Sequence, residues 1–149
     1  MKILVIGSGG REHALVWKLS QSPKVEKIYC APGNGEISKL AECVSIDPSD
    51  IQKLLSFAKE NRINLTVVGP ELPLSLGLVD LFEKEGLKAF GPKKEAAILE
   101  FSKAFTKEFC GRHSIPTAPF QVFENSAKAK NYAEKQNFPL VIKADGSLS

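Results

Sequence analysis

The stretch KILVIGSGGREHALVWKL, residues 2–19, decides the fold. A continuous apolar run from Ile3 to Ile6 leads into glycines 7, 9 and 10 and then into a segment of helical character. Such a short apolar run suits a central parallel strand covered on both faces. Residues 11–20 read as the helix that follows. A glycine turn that opens a helix presents unpaired N–H groups and the positive end of the helix dipole, and both favour an anion such as a phosphate. Position 12, however, holds Glu12, where a dinucleotide-binding G-x-G-x-x-G turn would carry its third glycine.

Working outward, the same alternation repeats. Residues 25–31 read as a second strand, ended by Pro32-Gly33-Asn34-Gly35, and a weak strand follows at residues 43–46. Ser49 is a suitable N-cap, and Ile51, Leu54, Leu55 and Ala58 then fall at i, i+3, i+4 and i+7, which predicts a helix. Leu65 to Val68 is a further apolar strand closed by Gly69-Pro70-Glu71. A helix over 75–85 stops at Gly86, and a short strand at 88–90 precedes Gly91-Pro92. Alternation of this kind predicts a parallel sheet with helices on both faces, its glycine turns gathered along the carboxyl edge. After Pro92 the pattern changes. Residues 95–112 read as one helix with Phe101, Phe105 and Phe109 as a core stripe. A strand at 120–123, a helix over 126–136 and a strand at 140–143 follow, and the ending Asp145-Gly146-Ser147-Leu148-Ser149 reads as a cut chain.

Bulk properties narrow the function class. The chain has 149 residues, 43% hydrophobic and 25% charged, with a formal net charge of +3. That balance carries no nucleic-acid or membrane-surface footprint, which needs clustered Lys and Arg. Cys30, Cys43 and Cys110 are odd in number and lack C-x-x-C spacing, so buried thiols in a reducing compartment are expected rather than disulfides or zinc. His13 and His113 belong to no metal-spaced cluster, and no metal ligands or catalytic residues are assigned. No stretch approaches a membrane span and the chain opens directly on a strand, so a cytoplasmic protein without a signal peptide is expected.

The rim residues admit two readings each. Gly7-Ser8-Gly9-Gly10 either cradles a phosphate or simply makes a tight strand-to-helix turn. Arg11 either screens a phosphate or is solvated. Glu12 either accepts hydrogen bonds from sugar hydroxyls or complements the helix dipole. Asn34 can donate and accept, and Glu71 can accept from hydroxyls or an amine, although turn geometry alone also selects Gly, Pro and Asn. A dinucleotide is disfavoured twice: Glu12 replaces the third glycine, and the second strand ends in Cys30-Ala31-Pro32-Gly33 without the ribose-binding acid. A smaller phosphorylated ligand fits better.

Gly7-Ser8-Gly9-Gly10-Arg11-Glu12-His13-Ala14, Pro32-Gly33-Asn34 and Val68-Gly69-Pro70-Glu71-Leu72-Pro73-Leu74 closely resemble the phosphoribosylamine–glycine ligases, the glycinamide ribonucleotide synthetases of purine synthesis. Gly91-Pro92, Ala96-Ala97-x-Leu99-Glu100, Ser102-Lys103-x-Phe105-x-Lys107, Ile115-Pro116-Thr117-Ala118 and Pro139-x-Val141-x-Lys143-Ala144-Asp145-Gly146 extend the resemblance along the whole chain in order.

The resemblance implies an α/β fold: a Rossmann-like parallel sheet domain over residues 1–100, preceding the incomplete beginning of an ATP-grasp domain over 101–149. It implies a reaction that joins glycine to 5-phosphoribosylamine with ATP and Mg²⁺ or Mn²⁺, through an acyl phosphate of glycine. It marks Gly9, Gly10, Arg11, Glu12, Gly33, Asn34, Gly69, Pro70 and Glu71 as sugar-phosphate contacts, and Lys103 and Lys143 as lysines facing the ATP phosphates. The family continues past Asp-Gly with Leu-Ala-Ala-Gly-Lys-Gly, whereas this chain has Ser147-Leu148-Ser149. The main ATP, metal and glycine ligands of the family lie beyond that point, so the 149 residues alone are expected to be inactive. The alternatives are a freestanding sugar-phosphate-binding module, another ATP-grasp purine enzyme and, less favoured, a dinucleotide-binding domain.

Overall fold

The structure is a computed structural model that describes residues 1–146, so the expectation for Ser147 to Ser149 lies outside the described residues. The chain divides into two compact units, Met1–Ile98 and residues from Leu99 onward.

The first unit contains β1 (Lys2–Gly7), α1 (Gly10–Ser20), β2 (Lys27–Pro32), a 3₁₀ turn (Ile37–Lys39), β3 (Glu42–Cys43) and α2 (Ile51–Glu60). Next come β4 (Leu65–Val68), α3 (Glu71–Ser75), α4 (Leu78–Lys84), β5 (Ala89–Phe90) and the start of α5 (Lys94–Phe101). The strands form one sheet in the order β3-β2-β1-β4-β5, every pair parallel. β1 is central, with Ile6 beside Ala31 of β2 and Val68 of β4. Its continuous apolar run follows from that position. Leu4 and Ile6 pack with Leu54 and Ala58 of α2 and with Leu78 and Phe82 of α4, while Ile3 and Val5 pack with Val16 of α1 and with Ile37. Each fully buried Leu, Ile or Phe contributes roughly 1.5–3 kcal/mol of transfer free energy, so burial on both faces holds the sheet between its helices.

Chain order explains where a ligand can sit. β1, β2 and β3 step outward in one direction, and the chain then returns to place β4 on the other flank of β1. The order therefore reverses between β1 and β4. In open α/β sheets the crevice outside the carboxyl ends at such a switch point is the binding place.

Several expected elements differ. The helix expected over 75–85 begins only at Leu78, because Gly77 adopts φ +87 and separates it from α3, which its N–H closes on Leu74 O at 3.0 Å. The helix over 95–112 breaks at Ser102, which is extended (φ −106, ψ 111) and caps α6 (Lys103–Arg112) by accepting Phe105 N–H. α2 is capped by Asp50, not Ser49: the Asp50 carboxylate accepts Lys53 N–H, while Ser49 donates to Asp47. Of the strand expected at 43–46, only Cys43 lies in β3 (Glu42–Cys43), and residues 44–46 form no strand.

In the second unit, α7 (Ser126–Ala133) ends earlier than expected, and its Asn125 cap accepts from Ala127 and Lys128 N–H. Residues 120–123 and 140–143 form no strand. A strand needs a neighbour for its ladder, and among the described residues all ladder pairs belong to the first unit's sheet. Val141 and Ile142 are accordingly 75% and 85% exposed. Phe101 at the end of α5 and Phe105 and Phe109 of α6 are half-buried rather than core, and α6 buries none of its residues. Phe105 stacks on Phe109 at 6.3 Å, and Phe109 meets His113 at 4.4 Å between ring centroids. Among the described residues no helix is long and apolar enough to cross a membrane.

Candidate functional site

The turn from β1 into α1 is built around Glu12. Gly9 is extended (φ −90, ψ −173) and N-caps α1, and its N–H donates to Glu12 Oε2 at 2.6 Å. This is half of a capping box, since a glycine has no side chain to reciprocate. The Glu12 side chain turns inward, 4% exposed, beneath Gly7, Gly9 and Gly69. A Cβ at Gly7 would stand 2.6 Å from its Cδ, one at Gly9 would stand 3.0 Å from Oε2, and one at Gly69 would collide with Oε1. These glycines are thus required by a carboxylate from within the fold. Oε1 is buried and, among the described residues, has no hydrogen-bond partner.

The second turn is tied to the first. Gly33 N–H donates to Gly7 O at 3.1 Å, with Gly33 at φ +73 against Cys43. The Asn34 amide donates to Ser8 O at 2.7 Å, and its Oδ1 accepts Glu36 and Ile37 N–H, each at 2.9 Å. Asn34 therefore clamps one turn to the next with both ends of its amide. Beneath them the Cys30 thiol donates to Gly7 O at 3.4 Å, and burial pushes it up to about 12. All three cysteines are free thiols, Cys30 buried and Cys43 and Cys110 half-buried.

The third turn closes the crevice. Gly69 N–H donates to Ile6 O at 3.1 Å, and Pro70 N-caps α3. Glu71, first in α3, meets Arg11 of α1 with Nη1 to Oε1 at 2.9 Å. The Arg11 hydrogen bond, ahead of the Glu71 backbone, holds the Glu71 carboxyl below its usual range. Gly9, Gly10, Arg11, Glu12, Gly33, Asn34, Gly69, Pro70 and Glu71 thus surround the carboxyl ends of β2, β1 and β4. Sequence reasoning names Ser8 only as part of the glycine turn and Cys30 only as a buried thiol; the structure adds that the Ser8 carbonyl anchors Asn34 and that the Cys30 thiol donates to Gly7 O.

In the second unit, Lys103 at the start of α6 donates to Gly146 O at 3.1 Å. Asp145 accepts Ala104 N–H at 3.0 Å and Ser102 Oγ–H at 2.9 Å, and these bonds, Ala104 first, hold its carboxyl below the usual range. Lys143 is exposed on an irregular segment. Among the described residues no group of three or more His, Cys, Asp or Glu gathers as a metal site.

Two family models match the chain: "Phosphoribosylglycinamide synthetase, N domain" over residues 1–100 and "Phosphoribosylglycinamide synthetase, ATP-grasp (A) domain" over 101–148. The chain belongs to the phosphoribosylglycinamide synthetase family. Among its relatives is a phosphoribosylamine–glycine ligase of Caldanaerobacter subterraneus subsp. tengcongensis, 56% identical over 146 residues, covering 98% of this chain and 35% of that one. The crystal structure of a phosphoribosylamine–glycine ligase from Thermotoga maritima is similar at a TM-score of 0.72 and 30% identity, over 99% of this chain and 34% of that one. The N5-carboxyaminoimidazole synthetase of Staphylococcus aureus, complexed with ADP, reaches a TM-score of 0.72 over 98% of this chain and 39% of that one; at 16% identity the likeness is of fold alone. This chain therefore spans about a third of the length of the curated synthetases it matches. The α/β architecture expected from the sequence, and the resemblance to this family, are both correct.

Proposed function

We propose that the chain is the N-terminal portion of a ligase that joins glycine to 5-phosphoribosylamine, with ATP converted to ADP and phosphate. Residues 1–100 would be the domain that holds the aminosugar phosphate, and residues 101–149 the beginning of the ATP-grasp domain. The observation that carries this reading is the meeting of three polar turns at the β1/β4 switch point, joined by Arg11 and Glu71 at 2.9 Å.

Each residue then has a role its geometry allows. Gly10 leaves room for a phosphate against the start of α1, where first-turn N–H groups have no intrahelical acceptor, and Gly9 shapes that turn as its N-cap. The Arg11 guanidinium offsets phosphate charge from the turn's edge. Glu71 accepts from a sugar hydroxyl or the amine, and Gly33-Asn34 and Gly69-Pro70 shape the walls. The amine must stay unprotonated to attack, so a site that fixes the sugar by its phosphate leaves the nucleophile free to be aimed.

ATP supplies the phosphoryl group that makes glycine's carboxylate an acyl donor. Lys103 and Lys143 are proposed to face its phosphates. With Lys103 on the Gly146 carbonyl and no acidic cluster in the described residues, this chain's residues do not by themselves fit a nucleotide–metal complex, and no step is assigned to them. The chain alone is inactive on this reading, and its compartment is the cytoplasm.

The test is a chimera. Residues 1–146 replace the corresponding segment of the Thermotoga maritima ligase, and ADP release is followed with glycine and phosphoribosylamine. An active chimera that Arg11→Ala cripples is expected. A folded chimera that binds ATP but does not turn over contradicts the proposal.

A further inference from the structure

We infer that Glu12 is a positioning residue: it holds the glycine turn ready for an anion from inside the fold and does not touch the ligand. The inference rests on the reading of this rim as a phosphate-holding site. Its first support is access. The carboxylate is 4% exposed under Gly7, Gly9 and Gly69, and a single Cβ added at Gly69 would already collide with Oε1. A ligand atom has no more room there than that Cβ.

The second support is the bond Glu12 makes. Oε2 takes the Gly9 N–H at 2.6 Å, the amide of the helix N-cap. With that N–H turned inward, Gly9 is held in its extended conformation at the start of α1. Gly10 has no atom within 4 Å of where a Cβ would stand, so the space on its outer side is open. The carboxylate thus pins the turn from within while the outer side of Gly10 stays open.

The third support is what the arrangement gives up. A glutamate three residues into a helix can pin its N-cap amide from the solvent side, with both oxygens hydrated. Here Oε1 is buried without a partner among the described residues. A buried unsatisfied acceptor destabilises the fold, and in native structures such departures cluster where geometry serves function. Placed between β1 and β4, the carboxylate couples the Gly9 turn to the Gly69 turn, so the two walls of the crevice keep one spacing.

The test uses the ¹⁵N-labelled 149-residue chain as wild type, Glu12→Gln and Glu12→Ala. Gly9 amide exchange is read without ligand, ribose 5-phosphate affinity from the Gly10 amide shift, and folding from the thermal midpoint. Glutamine keeps an oxygen for Gly9 N–H and removes the charge. Slow Gly9 exchange and an affinity within about threefold of wild type are expected for Glu12→Gln, against a loss of about tenfold or more for Glu12→Ala. A folded Glu12→Gln that binds as poorly as Glu12→Ala overturns the inference, because the charge would then be meeting the ligand. If Glu12→Ala fails to fold, Glu12→Gln alone decides by the same measures. A responsive wild type with an equally responsive Glu12→Ala overturns this inference alone, whereas a wild type blind to ribose 5-phosphate overturns the site reading and this inference with it.

Discussion

Arg11 and Glu71 lie 2.9 Å apart across the point where the strand order reverses. One begins the helix after β1 and the other the helix after β4, so the pair bridges the two walls of the crevice. Both ends are accessible, with side chains 66% and 37% exposed.

For an exposed pair the stability contribution is small, below about 1 kcal/mol. Because Arg11 lowers the folded-state value of Glu71, that contribution is present above the ordinary glutamate range and is lost as pH falls through the lowered value. Thermal melts of wild type and Glu71→Gln should therefore differ slightly at pH 7 and converge in acid. A difference that grows on acidification contradicts the assignment. Arg11→Ala should weaken ribose 5-phosphate far more than it weakens the fold.

Two glycines on one rim should respond oppositely to alanine. Gly69→Ala forces Glu12 to move, and overpacking of that kind costs about 1–3 kcal/mol. Gly10→Ala meets nothing within 4 Å at the first helical position, so it should be neutral or stabilise by up to about 1 kcal/mol. If the phosphate rests on Gly10, the same methyl group weakens ribose 5-phosphate binding. Chemical denaturation and a ligand titration on both variants separate the effects.

Asp50 and Ser49 are both good capping residues, and they should separate under substitution. Only Asp50 accepts the Lys53 N–H. Asp50→Ala should cost roughly 0.5–2 kcal/mol by denaturant unfolding and Ser49→Ala much less.

Cys30 should be the unreactive thiol. Burial pushes it up to about 12 from an ordinary 9.0, and the thiolate is the nucleophile. At pH 8 iodoacetamide should label Cys43 and Cys110 in the native protein and Cys30 only on unfolding, as read by peptide mass spectrometry. By linkage the buried neutral thiol contributes stability below pH 9.0, which is lost as pH rises toward 12.

Much of this fold is local and could be read from the chain. Residues 3–6 and 65–68 announce buried strands by continuous apolar character, and Leu54, Leu55 and Ala58 announce the inner face of α2. The rim turns were legible because glycine and proline punctuate strand ends. Features set by chain return were not legible. Glu12 is buried only because β4 comes back beside β1 and lays Gly69 over its carboxylate. Gly77 and Ser102 break helices whose apolar spacing continues across them, since each offers a conformation or a cap that competes with one more helical turn. Residues 120–123 and 140–143 have strand composition, but composition does not supply a partner.

The most direct test of the account is a structure of the chain with ribose 5-phosphate bound. The account predicts the phosphate against Gly10 and the Arg11 guanidinium, the sugar toward Glu71, and Glu12 still turned inward on Gly9. A sugar phosphate lodged elsewhere, or a rim that instead accepts the pyrophosphate of NAD, would contradict it.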